Sequence, residues 1–210
     1  MAFSLARGLM LATAFISLTL IPACIAQVPP GSPGLAGNYK VDPTHVSVTF
    51  KVSHMGLSKY TGRFAGVDAS AFYDPENPAK SRVEASIDPR SVRTDYPATE
   101  TRNFDRDLAG PDWFNAIKFP AITFKSTAIE VTGPATAKIK GDLTMLGVTR
   151  PIVLDTTMNG AMTTHPFTLG PAFGISATGV VDRVAFGLNA YEGMVGTEVT
   201  ILIEAEFQKK

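Results

Sequence analysis

The sequence predicts an all-β protein: eight antiparallel strands closed into a barrel, with a short helical insertion between the early and middle strands. Three observations predict it. Apolar and polar residues alternate with a period of two from Tyr39 onward, Gly/Pro/Asn turn signals separate the alternating runs, and one stretch of the chain breaks the pattern.

The first run places Val46, Val48, Phe50 and Val52 on one face and Ser47, Thr49, Lys51 and Ser53 on the other, as a half-buried strand requires. Val83, Ala85 and Ile87 alternate with Arg82, Glu84, Ser86 and Asp88. Ala137, Ile139, Leu143 and Met145 alternate with Lys138, Lys140, Asp142 and Thr144. Ile175, Ala177 and Val181 oppose Ser176, Thr178 and Asp182. In the last run Val199, Ile201, Ile203, Ala205 and Phe207 share a face, and Leu202 is the apolar exception on the other. Turn signals fall at 74–78, 132–134, 146–147, Asn159-Gly160 and Gly170-Pro171. Strands are therefore expected near 39–54, 59–73, 81–89, 121–131, 135–146, 149–160, 172–184 and 195–208. Eight such strands close naturally into a barrel with room for a small ligand. An open sandwich is the architectural rival. Between Thr94 and Lys118 the pattern fails and short helices are expected, with Thr99 and Thr101 as caps and Leu108, Trp113 and Phe114 as apolar anchors. Such an insertion can lid one end of a barrel.

The 210 residues carry 19 Lys+Arg against 19 Asp+Glu, which gives no electrostatic reason to bind nucleic acid. At the N-terminus Arg7 precedes an apolar run, Gly8 to Ile21, and then Pro22-Ala23-Cys24-Ile25-Ala26. This is the order of an export signal over residues 1–26, cleaved after Ala26. The run is short for a membrane span. Cys24, the single cysteine, sits in a lipobox-like setting, so lipidation there is the alternative to its removal. Residues 27–37 (QVPPGSPGLAG) read as a Pro/Gly-rich tether, and 38–210 as the barrel domain.

Several motifs together resemble the YceI family. They are Tyr39 to His54 (YKVDPTHVSVTFKVSH), Gly62-Arg63-Phe64, Lys118 to Thr127 (KFPAITFKST), Gly141 to Pro151 (GDLTMLGVTRP) and Asp182 to Gly187 (DRVAFG). They cover most of the chain in order. The resemblance implies a lipocalin-like barrel, export to the periplasm, and a polyisoprenoid or isoprenoid-quinone lipid held in an apolar channel as carrier or reservoir. The chain departs from the family in the insertion. Relatives carry Arg-Asp-x-His-Leu where this chain has Phe104-Asp105-Arg106-Asp107-Leu108, so an imidazole role is not carried over to Asp107.

On this reading the ligand-binding residues are Phe50, Val52, His54, Phe64, Ile87, Trp113, Phe114, Phe124, Ile139, Leu143, Arg183 and Ile201. Phe72, Phe119, Phe173 and Phe207 are expected on the same apolar inner face. Burial of a methylene is worth about 0.8 kcal/mol, so each five-carbon isoprene unit contributes on the order of 3 kcal/mol relative to water. His54 shares the parity of Phe50 and Val52 and is expected to point inward, as a structural histidine or a head-group contact. His45 has the opposite parity, and His165 lies in a loop; three scattered histidines lack metal-site spacing. Arg183 shares parity with Val181. A salt bridge with Asp42 or Asp182 is its bland explanation, an anionic head group the sharper one. Asp105, Asp107 and Asp112 read as a solvated helix face without calcium-loop spacing. No HExxH, phosphate loop or dinucleotide fingerprint occurs, and Gly174 to Gly179 (GISATG) only superficially resembles a nucleophile elbow. The expectation is a binding protein without catalytic residues, metal or cofactor, whose partner is the lipid. Transient membrane contact and a homodimer stay open as expectations. Two alternatives remain: a ligand-free structural or stress-response barrel filled by its own side chains, and an enzyme acting on a prenyl lipid through His54 and a lid acid.

Overall fold

A computed structural model describes residues 26–97 and 100–210. Residues 1–25 of the expected export signal, Cys24 among them, and the candidate cap Thr99 lie outside these described residues. Ten strands follow in chain order: β1 (Gly37–His54), β2 (Ser58–Phe64), β3 (Val67–Tyr73), β4 (Arg82–Ile87), β5 (Val92–Arg93), β6 (Ile122–Val131), β7 (Thr136–Met145), β8 (Val148–Met162), β9 (Ala172–Asp182) and β10 (Val195–Lys209). All ladder pairings between them are antiparallel. The sheet runs β10-β9-β8-β7-β6-β4-β3-β1, and β1 then pairs with β10 from Tyr39↔Lys209 to His54↔Val195, which closes the ring.

The ten segments make eight barrel strands because two of them are broken. β2 and β3 both pair with β1, one with each half, and are separated at Ala65-Gly66. β4 pairs with β3 and the short β5 with β2 (Phe64↔Val92), so β4 and β5 form the next broken strand. An eight-membered ring of this kind removes the exposed edges an open sandwich would leave.

The β7–β8 connection shows how sequence dictates the turn. Met145 pairs with Val148, and the two residues between them, Leu146 (φ 53°) and Gly147 (φ 78°), both take the left-handed backbone that a two-residue hairpin demands. The expected turn at Asn159-Gly160 is instead a bulge inside β8, where the register with β9 shifts between Met158 and Gly160. Gln27 packs on Gly160, and the Val28 amide donates to the Ala161 carbonyl at 2.8 Å. The glycine thus permits close approach of another chain segment rather than a reversal.

That segment corrects the tether expectation. Residues 27–37 pack onto one end of the barrel. Leu35 is fully buried, and its carbonyl accepts a 2.6 Å hydrogen bond from the Tyr39 hydroxyl. The Tyr73 hydroxyl donates to the Pro30 carbonyl. Proline and glycine here serve a fixed irregular path whose carbonyls find tyrosine donors. Burial pushes the Tyr39 hydroxyl up to about 12. Together with Phe173 and Phe207, which stack at 5.2 Å, these residues form one of two buried clusters.

The second cluster lies at the opposite end, under the insertion between β5 and β6. Among its described residues the insertion contains one short helix, α1 (Phe104–Ala109), whose cap is Asn103, its side-chain oxygen accepting from the Arg106 amide. Asn103 thus takes the role expected of Thr101. Leu108 and Phe114 are buried and Trp113 half-buried, against Val48, Phe64, Ile122 and Phe186. These anchors were legible as apolar residues in an otherwise polar stretch. The insertion is the lid of this end.

Candidate functional site

Between the two clusters runs a cavity of about 340 Å³, within the range of small-molecule sites. Its wall is almost entirely carbon. Phe50, Val52, Phe64, Ile87, Trp113, Phe114, Phe124, Ile139, Leu143, Arg183 and Ile201 all border it, as their strand parity or their place in the insertion led one to expect. His54 does not. It pairs with Val195 and Ser58 at the last step of β1, beyond a register shift against β10, and stands exposed beside the Met55-Gly56 turn. Its parity is inward, but the strand has by then run past the rim.

The interior is hollow rather than filled. Phe50, Ile87, Phe124, Ile139, Leu143 and Ile201 face the lumen yet are only half-buried, because the space in front of them is empty. Two glycines help keep it so. Gly62 is the direct cross-strand partner of Phe50, and a methyl group there would collide with the Phe50 ring. Gly141 on β7 pairs with Ser126 and lies diagonal to Phe124 on β6, whose ring a methyl group there would likewise meet. Each ring lies flat against the wall over a missing side chain, and the lumen stays open. Sequence alternation alone missed this, although the glycines break the apolar series at 62 and 141.

β6 carries a further feature that parity could not foresee. Its register against β7 shifts between Ser126 and Ala128, so the inward residues change from Ile122 and Phe124 to Ile129 and Val131. The bulge extends the apolar wall to the end of the β6–β7 hairpin.

The lining residues also locate the mouth. Among the described ones, those that are solvent-exposed are Arg82, Val131, Pro134 and Thr136, which lie at the start of β4 and on the β6–β7 hairpin. Lining residues at the lid end are buried or half-buried.

Two arginines are the charged residues bordering the lumen among the described ones. Arg183 is 2% exposed at the lid end. Neither expected salt bridge forms. Asp182 accepts from the Ala185 amide, and Asp42 is held by Thr44, His45 and Gln208. Arg183 instead donates to four backbone carbonyls, those of Gly196, Leu188, Ala190 and Val195, at 2.5–2.9 Å. It binds the β9–β10 connection together, and burial lowers its pKa, opposed by the more distant Glu192 and Asp182. Two carbonyls of the β9–β10 connection and two at the start of β10 converge there, and one guanidinium with five N–H groups satisfies them.

Outside the barrel, Asp42, His45 and Glu206 approach one another, with His45 Nδ1 3.0 Å from Asp42. This cluster does not touch the lumen. Thr44 and His45 hold the Asp42 carboxyl down to about 2, and Asp42 in turn raises the His45 pKa. In the lid, Asp105 accepts from Thr94, and Asp107 pairs with Arg102 at 3.0 Å.

A closed eight-stranded antiparallel barrel around an apolar lumen is lipocalin-like in architecture. The chain belongs to the YceI-like family: the family's domain model matches residues 39–207. It is 33% identical over 174 residues to Protein YceI of Escherichia coli O6:H1, covering 82% of this chain and 87% of that one. In fold it is similar to BcnA of Burkholderia cenocepacia (TM-score 0.67, 23% identity, 79% of this chain and 98% of that one). It is also similar in fold to a polyisoprenoid binding domain from Saccharophagus degradans implicated in plant cell wall breakdown (TM-score 0.57, 14% identity, 82% and 98%).

Proposed function

We propose that this protein is an exported carrier or reservoir that holds a polyisoprenoid or isoprenoid-quinone lipid in the barrel, taking it up by transient contact with a membrane. The observation that carries the reading is the long carbon-walled cavity. β7 runs beside it for ten residues, roughly 33 Å of strand at about 3.3 Å per residue, tilted across the barrel wall, and five of them from Thr136 to Met145 border the cavity. A lumen of that shape matches an extended chain better than a compact ring. The polyisoprenoid binding domain of similar fold supports the same class of ligand.

In water the chain is held by its burial. Against a membrane donor that contribution nearly cancels, because the lipid is already out of water. Selectivity then rests on shape and on what the mouth does with the head group.

The alternatives fit the geometry less well. A filled structural barrel does not match the half-buried inward side chains and open volume. An enzyme using His54 would have to act at an exposed hairpin outside the lumen, and the lid carboxylates Asp105 and Asp107 are engaged by Thr94 and Arg102. The test is organic extraction of the purified protein followed by mass spectrometry, before and after incubation with prenyl lipids. A prenyl lipid near one per chain is expected. An empty extract that stays empty after incubation would overturn the reading, and a chemically altered lipid would favour the enzyme.

A further inference from the structure

We propose that the ligand's head group stays at the mouth and that Arg82 selects an anionic one, a phosphate ester; this rests on the lipid-binding reading above and adds the head-group class to it.

The interior offers a head group nothing. Away from the mouth, the polar side chains bordering the lumen among the described residues are already engaged. The Tyr73 hydroxyl donates to Pro30, the Thr156 hydroxyl to the Leu154 carbonyl, and Arg183 gives four hydrogen bonds to carbonyls. A phosphate drawn inside would lose its water without gaining partners, which is strongly unfavourable. The chain enters and the head remains outside.

At the mouth the situation reverses. Arg82 pairs across the β3–β4 ladder with Phe72, and its guanidinium lies over the Phe72 ring, 4.5 Å from the centroid. Both side chains leave the outer face of the ladder, one step from the inward pair Ala71↔Val83, so Phe72 does not join the inner wall expected of it; both residues border the opening, and the cation is held on its outer lip. Among the described residues no carboxylate lies within ion-pair distance of Arg82. Of the acidic groups on adjoining elements, Glu84 pairs with Lys125 at 3.1 Å, Glu130 with Lys140 at 3.0 Å, and Asp74 accepts from the amides of Glu76 and Asn77; Glu76, on the same β3–β4 connection, is exposed and forms no ion pair with Arg82. A guanidinium fixed by stacking, with its edge free, is suited to bidentate contact with a phosphate.

The experiment compares three ligands of equal chain length, a prenyl phosphate, a prenyl alcohol and the prenyl hydrocarbon, by displacement of a fluorescent lipid from the full protein. The wild type is expected to bind the phosphate about tenfold more tightly than the alcohol at low salt, with the gap narrowing as salt rises. Arg82→Ala should abolish that gap, and Arg82→Lys should keep part of it. Arg82 is exposed at the rim, so these variants are expected to fold, which a thermal melt verifies. Equal affinity for phosphate and alcohol in the wild type, or a preference that survives Arg82→Ala, would overturn the proposal while leaving lipid binding intact. Failure of all three ligands to bind would overturn the lipid-binding reading as well, and the two failures are distinct.

Discussion

The two ends of the barrel each carry an arginine at the edge of the same apolar lumen, and the two are opposites. At the lid end Arg183 is buried, and its donors are spent on carbonyls of the β9–β10 connection and the start of β10. At the mouth Arg82 is exposed, rests on Phe72 and has no carboxylate partner among the described residues. The difference teaches that charge beside a cavity does not by itself mark a ligand contact. What matters is whether the donors are already used. Arg183 closes one end by holding a loop in place; Arg82 leaves the other end with an unspent cation.

The sharpest break of this comparison is a paired substitution. Arg183→Met would strand four carbonyls, one buried and three part-buried, and is expected to cost about 4 kcal/mol, enough to threaten folding. Arg82→Met should change stability by no more than about 0.5 kcal/mol, since it removes an exposed contact. Urea denaturation of both reads the contrast, and equal losses would erase it.

The lumen between the ends can be sharpened next. Gly62→Ala should lift the Phe50 ring off the wall into the cavity. Because the colliding atoms belong to that side chain alone, the fold should tolerate the change. Binding of a prenyl ligand is expected to weaken about tenfold, some 1.4 kcal/mol, with the melting temperature little altered. Gly141→Ala meets the Lys125 carbonyl as well as Phe124 and should lose stability in addition. Unchanged binding in Gly62→Ala would mean that ring position does not set the bore.

A smaller effect is expected where the N-terminal segment packs beside the mouth. Tyr39→Phe leaves the buried Leu35 carbonyl without its hydroxyl donor and should cost about 1 kcal/mol in denaturant. No loss would mean that residues 27–37 are not part of the folded unit.

The smallest effect concerns pH. Asp42 has a folded pKa of about 2, below its ordinary value near 3.9, so the stability it contributes is present above about pH 4 and lost as pH falls toward 2. His45 is raised, so its contribution is full below about pH 6.5 and fades as pH climbs through its raised folded value. The β1–β10 clasp, where Gln208 also donates to Asp42, should be tightest between these limits. Asp42→Asn should flatten a shallow acid limb in melting temperature measured from pH 5 to 2, and an unchanged limb would contradict the assignment.

Much of this was legible in the sequence because a barrel wall obeys a period of two. The inward series 46–52, 83–87, 137–145 and 199–207 needed nothing beyond parity, and the lid anchors Leu108, Trp113 and Phe114 stood out from a polar stretch. The remainder depended on partners distant in the chain. The β6 bulge reverses parity without a Gly or Pro to announce it. Asn159-Gly160 looks like a turn until residues 27–28 are seen to pack there. His54 keeps inward parity but lies past the rim. Two of the carbonyls that claim Arg183 come from a connection with no regular pattern.

The measurement that bears most directly on the central claim is a crystal structure of the protein with a prenyl phosphate carrying a bromine at the far end of its chain. The expected result is density along the lumen, with bromine near Phe114 under the lid and phosphate at Arg82. A lumen left empty with lipid on the outer wall, or a phosphate beneath the lid beside Arg183, would contradict it.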